Sequence, residues 1–121
     1  MENVYALRGA TTVDFDSVKD VDDAVKELMD ELYQKNGLTD EDIAFIHFSQ
    51  TVDIKSQNAA ASFRKTGKGA SVPLFCTQEA EISGALERVI RVLVLVNHEK
   101  RCTANMVYLR KAVKLRPDLV N

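Results

Sequence analysis

Seven apolar residues, Val21, Ala24, Val25, Leu28, Met29, Leu32 and Tyr33, recur at the spacing that places them on one face of a helix, with charged residues between them. The spacing predicts a long amphipathic helix that ends near Lys35, where Asn36-Gly37 supplies a left-handed stop. Asp20, Asp22 and Asp23 are expected in its first turn, where carboxylates suit the helix dipole. The other apolar segments are strand-like. Val4 to Val13 alternates loosely and predicts a strand broken or bent at Gly9. Thr39 and Asp42 resemble a capping arrangement for one short turn ahead of a strand from Ile43 to Phe48. Asn58 to Thr66 reads as a short helix stopping at Gly67, with Lys68, Gly69 and Ser71 in a flexible connection. Val72 to Thr77 predicts a further strand. Leu86 to Val96 is rich in β-branched residues and apolar on both faces, as a central strand would be. Met106 to Leu115 begins as a strand, and Arg116-Pro117 ends regular structure because proline fixes the backbone and lacks a donor.

One long amphipathic helix against a mixed sheet of roughly five strands predicts an α+β fold and leaves one sheet face uncovered, so oligomerisation is expected. The pattern does not set the number of subunits. A chain of 121 residues suits a single domain spanning 1–121. No run of about 18 uncharged apolar residues is present to span a bilayer. The opening, with Glu2 and Arg8, lacks a signal pattern, so a cytoplasmic location is expected. With 16 basic and 18 acidic residues, the chain shows no excess suited to nucleic acid or a membrane surface, so any bound anion must meet local cations. Cys76 and Cys102 are too few and wrongly spaced for a disulfide framework or metal knuckle, and reduced thiols are expected. His47 and His98 lack ligand spacing, and neither a metal nor a cofactor is expected.

Arg91 is the most informative single residue. By alternation it lies between Val89 and Leu93, among side chains that read as buried, and a guanidinium there requires an anion. That anion is either a protein carboxylate, within or between chains, or a ligand. Arg8, on the face of Ala6 and just before Gly9-Ala10, poses the same question. Glu79 follows a predicted strand directly, where loops are accessible yet held by the scaffold. Cys76 reads as a small buried residue rather than a nucleophile, His47 as packing and His98 as solvated. Tyr108 either aims its phenol at a ligand or buries its ring. The basic run Arg110, Lys111, Lys114 and Arg116 lacks the interleaved aromatics of a nucleic-acid surface.

Four segments then fall into one order. Arg8-Gly9-Ala10-Thr11-Thr12-Val13, Val72-Pro73-Leu74-Phe75-Cys76-Thr77-Gln78-Glu79, Ile90-Arg91-Val92, and Val107-Tyr108-Leu109 through Leu115-Arg116-Pro117-Asp118-Leu119 together resemble the AroH-type chorismate mutases nearly end to end. The resemblance implies a homotrimer whose sheets build a barrel-like core, with active sites between neighbouring subunits. It implies that Arg8 holds a substrate carboxylate, that Arg91 reaches the ether oxygen and a carboxylate, and that Glu79 and the Cys76 region, with Thr77 and Gln78, receive the ring hydroxyl. Tyr108 would seat the side chain, Phe75, Leu74 and Leu115 would form walls, and Arg64 would assist from the adjacent subunit. Two positions depart from the family pattern: Asn58-Ala59 replaces an aromatic followed by proline, and Phe75 replaces a smaller residue.

The implied activity is the intramolecular rearrangement of chorismate to prephenate in aromatic amino-acid biosynthesis, by an isomerase with no cofactor. Two other readings share these features: an imine deaminase of similar architecture, and a noncatalytic trimer that binds a metabolite.

Overall fold

A computed structural model describes residues 3–98 and 103–116. Cys102 and the Pro117-Asp118-Leu119 part of the closing motif lie outside the described residues. The chain runs β1 (Asn3–Thr12), α1 (Val18–Asn36), a 3-10 turn (Asp40–Asp42), β2 (Ile43–Gln50), α2 (Ala59–Lys65), β3 (Leu74–Gln78), β4 (Val89–His98), β5 (Val107–Tyr108) and a second 3-10 turn (Arg110–Leu115). The strands form one sheet in the order β3-β2-β4-β1-β5. β4 is antiparallel to both β1 and β2, whereas β3 and β5 run parallel to β2 and β1, so the sheet is mixed and its apolar centre is β4. This is the expected α+β architecture.

Alternation assigns the two faces. Leu7, Ile46, Phe48, Ile90, Val92, Val94 and Val96 point to the side covered by α1 and α2, and all are buried. The α1 residues Val21, Ala24, Val25, Leu28, Met29 and Leu32 meet them with no exposed surface, and Phe63 of α2 fills the space beside Phe48 and Tyr33. Residues on the other face, Val4, Phe45, Phe75 and Leu93, are exposed. Arg91 belongs to that open face. Its side chain is partly exposed between buried Val89 and exposed Leu93, because in the single chain the closing 3-10 turn covers only part of this side of the sheet.

Three local details differ from expectation for identifiable reasons. Helix α1 begins at Val18 because the Ser17 hydroxyl accepts from the Asp20 N–H at 3.1 Å, an N-cap that leaves only Asp20 in the first turn. Asp22 instead reaches α2, accepting from the Ser62 hydroxyl at 2.6 Å and Lys65 at 2.8 Å. β1 continues unbroken through Gly9, where a Cβ would meet the Val107 carbonyl oxygen at 3.0 Å and the Leu32 and Leu28 methyls at 3.1 and 3.2 Å. The glycine permits close approach rather than a bend. The connection after α2 is tied rather than loose: Asp40 accepts from the Gly69 N–H at 2.8 Å, and Arg64 donates to the carbonyls of Gly69 at 2.6 Å and Val72 at 3.2 Å.

Candidate active site

The strand register builds the site. Across the open face, Tyr108, Ala10, Arg91, Ser49 and Thr77 lie in one cross-strand row, from β5 through β1, β4 and β2 to β3. The next row carries Arg8, Leu93, His47 and Phe75. Over these two rows lies a cleft of about 510 Å³, within the usual range for small-ligand sites. Arg8, Arg91 and Arg116 bring three guanidinium side chains to its lining, and Tyr108 and Leu115 close one end.

Arg91 is answered by a protein carboxylate. One Glu79 oxygen pairs with the Arg91 guanidinium, and the other accepts from the Ser49 hydroxyl at 2.7 Å. The pair is a wall between two hollows, because Arg91 lines both the arginine cleft and a second depression under the 80–87 loop, to which Glu79 contributes. The Glu79 N–H bonds to the Gln50 carbonyl at 2.9 Å and extends the β2–β3 pairing one residue past the strand. The glutamate thus leaves the scaffold at a fixed point.

Among the residues expected at a site, the cleft brings together Arg8, Thr77, Arg91, Tyr108 and Leu115 in one chain, with Glu79 attached through Arg91. Phe75 lies on the same sheet face, its exposed ring edge-on to His47 at 5.7 Å between centroids. Cys76 and Leu74 point the other way and pack on the core. The Cys76 thiol donates to Gln50 Oε1 at 3.3 Å, and burial raises its pKa. Gln78 is exposed at the end of β3. Arg64 does not line the cleft of its own chain and holds the 69–72 connection instead. Asn58 caps α2, its side-chain oxygen accepting from Ala60 at 2.8 Å and Ala61 at 3.3 Å.

The sequence pattern did not single out Ser49, and it placed His47 in the packing. His47 lines the cleft with Nε2 3.0 Å from the Thr77 hydroxyl. That contact has the reach of a nucleophile-base pair, but no described carboxylate bonds the ring to orient it. The available signal was alternation. His47 and Ser49 share a face, which becomes visible only once β2 is carried to Gln50. Among the described residues, no group of three or more His, Cys, Asp or Glu side chains could hold a metal ion, and no helix is long and apolar enough to cross a membrane.

Fold and cleft together define an α+β protein that presents guanidinium groups from adjacent strands to one small-ligand-sized cleft. The type I chorismate mutase family model matches residues 4–119. The chain is 39% identical over 118 residues to chorismate mutase AroH of Thermus thermophilus, covering 96% of each chain. It is 32% identical over 117 residues to chorismate mutase AroH of Bacillus subtilis, covering 96% of this chain and 92% of that one. A chorismate mutase structure from Clostridium thermocellum superposes with a TM-score of 0.84 at 36% identity, over 89% of this chain and 96% of that chain. This chain belongs to the type I chorismate mutases.

Proposed function

We propose that the arginine cleft of this chorismate mutase converts chorismate to prephenate, with Arg8 and Arg91 gripping the substrate and Arg91 stabilising the charge that develops as it reacts. The observation that carries the assignment is the convergence of Arg8 and Arg91, from neighbouring strands, on one cleft. The reaction is a pericyclic shift in which the ether carbon-oxygen bond breaks while a carbon-carbon bond forms. It needs no nucleophile and no proton transfer. Chorismate is a flexible dianion, and holding its carboxylates fixes the enolpyruvyl arm over the ring before the barrier is climbed. Negative charge then grows on the ether oxygen, where a preplaced guanidinium stabilises the transition state by about 3 kcal/mol per donor.

Glu79 occupies Arg91 while the cleft is empty. On binding, the substrate takes its place on the guanidinium, and the released carboxylate accepts the ring hydroxyl. Tyr108 and Leu115 form the wall beside the bound molecule. The exposed apolar side chains of the sheet face beside the cleft support a homotrimer in which neighbouring subunits complete the site. A cytoplasmic setting belongs to the same reading and fits the free Cys76 thiol. Arg91→Lys is expected to leave the fold intact and remove most of the turnover, because an ammonium lacks the planar fork. A steady-state assay showing near-normal activity for Arg91→Lys would refute the role given to this residue.

A further inference from the structure

We propose that Ser49 is a positioning residue that anchors one oxygen of Glu79, so that the other can leave Arg91 for the substrate without the side chain leaving the site; the inference rests on the function proposed above. Ser49 stands directly opposite Arg91 in the β2–β4 register, and Glu79 bridges the two, Oε2 on the Ser49 hydroxyl at 2.7 Å and Oε1 on the guanidinium. An anion that takes Nη1 of Arg91 displaces Oε1. It does not touch the bond to Oε2.

The neighbouring hydroxyl is engaged elsewhere. Thr77 is opposite Ser49 on β3, but its Oγ1 is engaged by His47 at 3.0 Å. The Glu79 backbone is already held by Gln50, so the freedom that remains is in the side-chain torsions, and a single bond at Oε2 removes much of it. Without that bond, a released Glu79 carboxylate would sample rotamers in the hollow beneath the 80–87 loop, which it also lines. The empty site would be disturbed less, because Arg91 still holds Oε1 there. Loss of the hydroxyl therefore weakens the substrate complex more than the free enzyme, and KM rises while kcat is largely kept.

The test compares Ser49→Thr with Ser49→Val, two side chains of matched shape that differ by the hydroxyl, in steady-state chorismate turnover by the full chain with melting curves as a folding control. Ser49→Thr is expected to stay within about threefold of the unmodified protein, and Ser49→Val to raise KM about tenfold, equivalent to about 1.4 kcal/mol, with kcat changed less than threefold. In a Glu79→Ala background, the Thr and Val forms are expected to bind prephenate equally by calorimetry. Equal kinetics for Thr and Val, a loss confined to kcat, or a Thr–Val difference that persists without Glu79 would each overturn the positioning role while leaving the proposed function standing. A folded unmodified protein that fails to turn over chorismate would instead remove the functional reading, and the role of Ser49 with it.

Discussion

Arg91 is conspicuous in the sequence because a charge interrupts an apolar strand, and the open sheet face explains how the fold tolerates it. Its counter-ion was not legible. Glu79 lies on another strand's exit, and only the β2–β4 and β2–β3 registers bring the two together. Ser49 escaped notice because the apolar run of β2 ends at Phe48, two residues before the strand itself does. Thr11 presents the opposite case, a polar side chain inside the core. Its hydroxyl is buried without a hydrogen-bond partner among the described residues. An orphaned buried hydroxyl costs about 1–3 kcal/mol, and valine matches threonine in shape. Thr11→Val is therefore expected to raise the melting temperature by about 3–5 °C in a thermal scan. An unchanged or lower value would show that the hydroxyl is satisfied.

At the level of elements, α1 was legible because its apolar face keeps the helical period from Val21 to Tyr33 and Gly37 closes it with a left-handed φ of 60°. What the period could not supply was a partner for α2, a helix of 7 residues too short to stand alone. Asp22 is that link, accepting from Ser62, Lys65 and Gln57. Partial burial of the Asp22 carboxyl raises its pKa, but the bonds from Lys65, Ser62 and Gln57 outweigh this and hold it below the ordinary carboxylate range. A folded-state pKa below the unfolded one means that the stabilisation is present above about pH 4 and is lost as pH falls through the folded value. Asp22→Asn is expected to destabilise the protein by about 1–2 kcal/mol at pH 7 in urea unfolding, with the deficit shrinking toward pH 2. A deficit that does not change with pH would assign the effect to packing rather than charge.

For the whole molecule, the strand periods and the single long helix made the α+β class and the uncovered sheet face legible, because both follow from counting apolar faces. The cleft was legible only through the ordered motifs, since its lining comes from five strands and a 3-10 turn that meet by long-range pairing. Phe75 at 65% exposure and Val4 at 57%, with Phe45 and Leu93 at 37% each, make a surface that water covers poorly. Sedimentation is expected to give the mass of three 13.5 kDa chains, whereas a monomer would contradict the trimeric part of the proposal.

The most direct test of the central claim is the decay of chorismate absorbance with purified protein in the presence of a chelator and without added cofactor, beside an Arg91→Ala control. Prephenate formed by the unmodified chain, with turnover reduced at least about a hundredfold in the control as expected for loss of a charge-stabilising donor, would place the rearrangement at this cleft. Undiminished turnover in Arg91→Ala, or a folded protein that binds chorismate without converting it, would contradict the account.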